Sequence, residues 1–149
     1  MPTGHGGTLL PMRIAPIALL LLAGCVNTVD LAKATRPYPI GRPQASVEQV
    51  QVVQEDEAIR ITNGTAQTWT GASLWVNRRF VKDGVTIPAG GTIQIPMSEL
   101  RDQWGEQPYP RALFRSRQPT PIVLVQVEPA PDQPLIGLVV VTPRINTLR

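Results

Sequence analysis

From Ala45 onward, apolar and polar residues alternate in short runs separated by turn-forming residues. Val50-Gln51-Val52 and Ala58-Ile59-Arg60-Ile61-Thr62 repeat with period two, as strands do when one face meets the core and the other meets water. Asn63-Gly64 turns the chain, and Ser73-Leu74-Trp75-Val76-Asn77 resumes it, with Leu74 and Val76 on one face and Trp75 on the other. Asp-Gly suits the positive φ angles of tight hairpins, so Lys82-Asp83-Gly84 predicts a turn between Phe80-Val81 and Val85-Thr86-Ile87. Pro88-Ala89-Gly90-Gly91 is the next turn, and Thr92-Ile93-Gln94-Ile95 the next strand. Ile122–Val127 and Leu135–Val141 complete the set, punctuated by prolines. The single helix candidate is Ser98–Gly105, with Ser98 as cap and Gly105 as terminator. Short strands joined by Gly and Pro turns predict an all-β fold, an immunoglobulin-like sandwich of seven or eight strands over residues 45–149.

The N-terminus has a different pattern. Ile14–Leu22 is a nine-residue apolar run, preceded by Arg13 and interrupted by Pro16. A spanning helix needs about 20 apolar residues. A cation, a short apolar stretch and a small-residue exit are instead the parts of a secretory signal peptide. Met12-Arg13 offers a second start for it, with no effect on the mature chain. The run ends in Leu22-Ala23-Gly24-Cys25, which resembles the lipobox of bacterial lipoproteins at all four positions. The resemblance implies a signal peptide over residues 1–24, cleavage before Cys25, a diacylglyceryl group on the Cys25 thiol and acylation (palmitate or a similar chain) of the new amine. It also implies a membrane partner reached through that lipid and a place in the cell envelope. In related lipoproteins an aspartate after the cysteine retains the protein in the inner membrane. Val26 and Asn27 stand here, so the outer membrane is expected in a diderm, with the domain facing the periplasm or the exterior.

Residues 26–44 contain Arg36-Pro37-Tyr38-Pro39-Ile40-Gly41-Arg42-Pro43, whose prolines exclude a regular helix or central strand. With the lipidated cysteine, 25–44 reads as a flexible tether spanning roughly 60 Å if it is polyproline-like. Its basic residues Lys33, Arg36 and Arg42 are then either solvated linker charges or neighbours of anionic head groups.

Composition narrows the chemistry. Of the 14 Lys and Arg, only Arg13 precedes Cys25, and all 11 Asp and Glu come after it, so the mature chain carries a net charge of +2. That surplus is no nucleic-acid signature, and no nucleic-acid partner is expected. The sole histidine, His5, lies in the signal, and the sole cysteine is the lipid acceptor. Zinc sites of Cys and His, serine or cysteine triads, and haem or iron–sulfur ligation are therefore excluded from the mature chain. Neither a catalytic nor a metal site is assigned, no cofactor is expected, and the chain reads as a non-enzyme.

Four constellations remain. Arg111, Arg115 and Arg117, with Phe114 among them and Arg78-Arg79 as additions, form the densest positive cluster and could fork onto phosphate or carboxylate. Trp69 and Trp104 fall in expected loops and are candidates for stacking on sugars, whereas Trp75 is expected in the core. Glu55-Asp56-Glu57 lacks the ligand spacing of calcium loops and reads as an exposed turn. The last two strands are apolar on both faces. They are either central strands with both faces covered or carriers of an exposed face for a protein partner. The leading expectation is an envelope lipoprotein acting as a protein-binding or structural accessory module. The alternative is a module that binds glycans or anionic small ligands through loop Trp and Arg residues. The polar turn after a first strand pair, with a tryptophan in the next strand, is loosely similar to small envelope β-sandwich domains.

Overall fold

The computed structural model describes residues 30–111 and 117–142, with Met1 and Thr3. It contains seven strands: β1 (Gln44–Gln54), β2 (Ala58–Asn63), β3 (Trp69–Val76), β4 (Phe80–Ile87), β5 (Thr92–Pro96), β6 (Val125–Glu128) and β7 (Leu135–Val141). The only helical elements among the described residues are two 3₁₀ turns, Leu31–Lys33 and Met97–Glu99. The fold is all-β, as the period-two runs require. All seven strands belong to one mixed sheet, ordered β4-β3-β6-β7-β1-β2-β5, rather than to two separately bonded sheets.

That order forces the sheet to fold over. Its edge strands β4 and β5 are consecutive in sequence. Laid flat, six gaps of about 4.8 Å would hold them about 29 Å apart. The five peptide steps from Ile87 to Thr92 reach at most about 18 Å. The sheet therefore closes like a sandwich, with Val50, Val52, Ile59, Ile61 and Ile95 from one half and Leu74, Val76, Val85, Ile87 and Val127 from the other in one buried cluster. Asn63 fastens the seam. Its buried amide donates to the Gln67 and Pro88 carbonyls (2.8 and 3.1 Å), while its Oδ1 accepts from Thr65 N (2.9 Å).

β1 joins the two halves, pairing antiparallel with β2 and parallel with β7. On β7, Ile136, Leu138 and Val140 face the main core, and Leu135 packs on the opposite face with Trp75 and Val81. The double apolarity of the last strands is thus largely that of central strands covered on both sides. On β7 only Val139 and Val141 remain substantially exposed, and in the run before β6 Val123 does so as well.

Three local expectations are corrected. Lys82-Asp83-Gly84 is not a hairpin turn but lies inside β4, where Gly84 (φ +72°) faces an irregular register with β3. The turn is Asn77-Arg78, each at φ +54°, closed by Arg79 N–H on the Val76 carbonyl (3.0 Å). Left-handed φ at Arg78 costs about 1 kcal/mol. Asn77 holds the turn in place, since its Oδ1 accepts from Val123 N and its Nδ2 donates to the Pro121 carbonyl (3.0 and 2.7 Å). Ser98–Gly105 is no helix. Its first residues form the Met97–Glu99 turn, and Asp102 takes the capping role, accepting from Trp104 N and Glu106 N (2.9 and 2.8 Å). Finally, the described part of the expected tether, Asp30–Pro43, lies against the sheet, held by Thr35, Arg36, Tyr38 and Arg42.

Leu138 and Val139 are adjacent in β7 but on opposite faces. Leu138→Asp places a carboxylate in the core and should abolish cooperative folding, a loss above about 4 kcal/mol. Val139→Asp should stay within about 1 kcal/mol of the parent. Urea unfolding monitored by tryptophan emission measures both.

Candidate functional site

Asp30–Pro43 forms a strap over the outer face of the β4-β3-β6-β7 half. Pro37, Pro39 and Pro43 lack N–H groups and cannot pair as a strand, so the strap is attached mainly through side chains. At its start, Thr35 N–H donates to the Asp102 carbonyl (3.0 Å) and its hydroxyl to the Arg101 carbonyl (3.1 Å). At its end, Leu135 N–H donates to the Pro43 carbonyl (3.0 Å), and the chain enters β1.

Between these points the strap covers a second, smaller core of Trp75, Val81 and Leu135, capped by Tyr38. Tyr38 meets the Trp75 ring edge-on at 5.3 Å, and its hydroxyl donates to Gln126 Oε1 (2.8 Å). The strap is why all four residues of β6 are buried. Val125 and Val127 point into the main core, while Gln126 and Glu128 lie beneath the strap.

Glu128 is the centre of this arrangement, with 3% of its surface exposed. Its carboxylate accepts from Arg36 Nη2 (2.8 Å), from Trp75 Nε1 (3.1 Å) and from Arg42. Arg36 also lies over the Trp75 ring at 4.7 Å and donates to Ser73 Oγ (2.8 Å) and Asp83 (3.2 Å). Arg42 reaches Asp132 Oδ1 at 3.0 Å. Burial pushes the Glu128 carboxyl up, but the hydrogen bonds from Trp75, Arg36 and Arg42 outweigh it and hold its pKa below the ordinary value of 4.5. Desolvation likewise pushes the Arg36 pKa down, but the hydrogen bonds and charges of Glu128 and Asp83 together outweigh it and hold it above the ordinary value. An open groove of about 480 Å³ runs beside the cluster, lined by Arg36, Arg42, Ser73, Asp83, Glu128 and Asp132. Because these charges bind one another, the cluster acts as a clamp on the strap.

A second cleft, of about 260 Å³, lies at the start of the strap, lined by Pro37, Tyr38, Arg78, Arg79, Gln103 and Trp104, with Asp102. Arg79 is committed to Asp102 (2.7 Å) and Glu106. Arg78 stacks over Tyr38 at 5.9 Å and has no carboxylate partner among the described residues. Trp104 is 49% exposed.

The candidate residues named from sequence thus divide. Trp104 stands beside arginines in a concave site. Trp69 does not: it opens β3 inside the main core, 2% exposed, with its Nε1 unpartnered among the described residues, so it cannot stack on a ligand. Arg117 stacks on Tyr109 at 5.2 Å and bonds its hydroxyl, and the Arg111 backbone N–H donates to the Asp56 carbonyl (2.8 Å). Arg115, Phe114 and Cys25 lie outside the described residues. Arg78-Arg79 serve the strap and the Asp102 turn rather than adding to Arg111 and Arg117. Glu55 accepts from Arg60 and Gln94 (2.6 and 2.9 Å). Among the described residues no group of three or more His, Cys, Asp or Glu is placed to hold a metal ion. Sequence reading missed the Glu128 clamp. Its one signal was the pair Arg36-Pro37 and Arg42-Pro43, two cations on stiff backbone, upstream of a strand that ends in a glutamate.

Glu128→Gln removes the buried carboxylate that both arginines share, leaving them only the exposed Asp83 and Asp132, and should cost about 3 kcal/mol. Because the folded pKa is lowered, the carboxylate's contribution is present above pH 4.5 and is lost as pH falls through the folded value. The parent should therefore lose stability on acidification below that point more steeply than Glu128→Gln, as read by urea midpoints from pH 7 to 3. No protein-family model, curated protein or solved structure matches the chain.

Proposed function

We propose that this chain is a lipid-anchored accessory protein of the bacterial cell envelope, acting by binding another envelope protein rather than by catalysis. The observation that carries this reading is Leu22-Ala23-Gly24-Cys25 directly after a nine-residue apolar run. The lipid would supply the membrane attachment. Among the described residues, no helix is long and apolar enough to cross a membrane. Each buried methylene contributes about 0.8 kcal/mol, so two or three acyl chains on one cysteine hold far better than one. Val26 and Asn27 favour the outer membrane of a diderm over the inner one.

The non-catalytic part of the reading is supported by the charges of the clamp, which are paired with one another and fix the strap. The partner surface is the outward apolar stripe left on β1 and β7: Val47, Val139 and Val141, all exposed beyond the strap. The cleft that sets Trp104 beside Arg78 favours a second reading, a glycan or an anionic small ligand stacked on the indole and bonded to the guanidinium.

The anchor is tested on protein isolated from its native membranes. Mass spectrometry should find a chain beginning at Cys25 with acyl and glyceryl mass on that residue. Cys25→Ser should retain residues 1–24 and leave the detergent phase of a Triton X-114 partition without mature protein. A native chain with a bare Cys25 thiol and its leader attached contradicts the reading.

A further inference from the structure

The strap changes what the anchor does. Four residues separate Cys25 from Asp30, where the described strap begins. Five peptide steps reach at most about 18 Å. A unit of this size is roughly 35 Å across, from a radius of gyration of about 13 Å. A lipid on Cys25 therefore keeps the Asp30 end of the molecule near the bilayer and the opposite end away from it.

The surface around Asp30 has the chemistry of a membrane interface. The turn at Leu31–Lys33 sits on the Asp102–Gly105 turn so closely that a Cβ at Gly105 (φ +80°) would overlap the Asp30 carbonyl. Leu31, 69% exposed, and the half-exposed Trp104 are thus carried on two turns in direct contact. Neither turn is loose. Buried Asp102 fixes the Trp104 backbone, and Thr35 ties the strap to Arg101 and Asp102. The nearby carboxylates already have cations: Asp30 is paired with Lys33 (3.0 Å), and Asp102 and Glu106 with Arg79. Arg78, in the same cleft as Trp104, is unmatched by a carboxylate among the described residues.

We propose that the surface formed by Leu31, Trp104 and Arg78 lies on the lipid head groups of the bilayer that holds Cys25, fixing the orientation of the domain. Indole rings settle at the head-group level, and a basic residue near an anionic surface is drawn to it. Such contacts are too weak to recruit a free domain. Attached by a short linker, they act at high effective concentration and need only select one orientation. The outer stripe of Val47, Val139 and Val141 would then have a fixed presentation to its partner. This inference rests on the proposed lipid anchor at Cys25.

The test uses the full lipidated protein in phosphatidylethanolamine–phosphatidylglycerol vesicles, with plain or brominated acyl chains. Trp69 and Trp75 are buried, so the emission of Trp104 is the difference between parent and Trp104→Phe. Brominated lipid should quench that difference and leave the emission of Trp104→Phe unchanged. If the protein floats with the vesicles but the Trp104 difference is the same on both lipids, the proposed orientation is wrong and the anchor stands. If it fails to float and Cys25 carries no lipid, the anchor and the orientation both fall.

Discussion

A carboxylate buried in protein is tolerated only where opposite charge and hydrogen bonds replace its water. Glu128 meets that condition through Arg36, Arg42 and the Trp75 indole. Both arginines come from the strap. Remove the strap and β6 is left with an uncompensated charge on its outer face, while Trp75 and Leu135 lose the cover of Tyr38. The segment that precedes the first strand is therefore part of the fold's energetics, and β6 could not otherwise be buried on both sides with so polar an outer face.

The same segment leads straight into the strand that joins the sheet. β1 lies between β7 and β2, so without it the β4-β3-β6-β7 and β2-β5 pieces share no ladder. The clamp fixes where the strap ends, and the Pro43 carbonyl aligns the start of β1 with Leu135. Its parallel pairing with β7 is interrupted between Glu48 and Gln51, which returns Val50 and Val52 to the core. One covalent stretch thus covers a face, neutralises a buried acid and bridges two half-sheets.

Much of the strand pattern was legible in the sequence, because period-two burial results from the pleat alone: Ile59 and Ile61, Leu74 and Val76, and Val85 and Ile87 all face inward as their spacing requires. The failures have physical causes. Asp83-Gly84 has the composition of a tight turn, but a bulged strand needs the same positive φ, and the real turn places an arginine where glycine is usual. Prolines in 36–43 exclude strand pairing, yet a strap held by side chains needs none, so the same residues served for a tether and for a clamp. Trp69 looked like a loop residue because its flanks are polar, but its pairing with Ile87 turns it into the core. The Glu128 cluster was invisible because its members lie 86 and 92 positions apart in the chain. Of the candidate tryptophans, Trp104 stands in a cleft beside arginines and Trp69 does not.

Under the proposed lipid anchor this difference is functional. A free tether would let the domain sample positions well off the bilayer, whereas a clamped strap would bring folded structure to within a few residues of the proposed lipid. Amide hydrogen exchange tests the clamp directly, through the N–H groups of Thr35 and Leu135 that the strap pairs with the domain. Both should exchange with protection comparable to the amides of β6. Exchange of Thr35 at the rate of an unstructured chain, while β6 stays protected, would show the strap to be free and would contradict this structure at its central point.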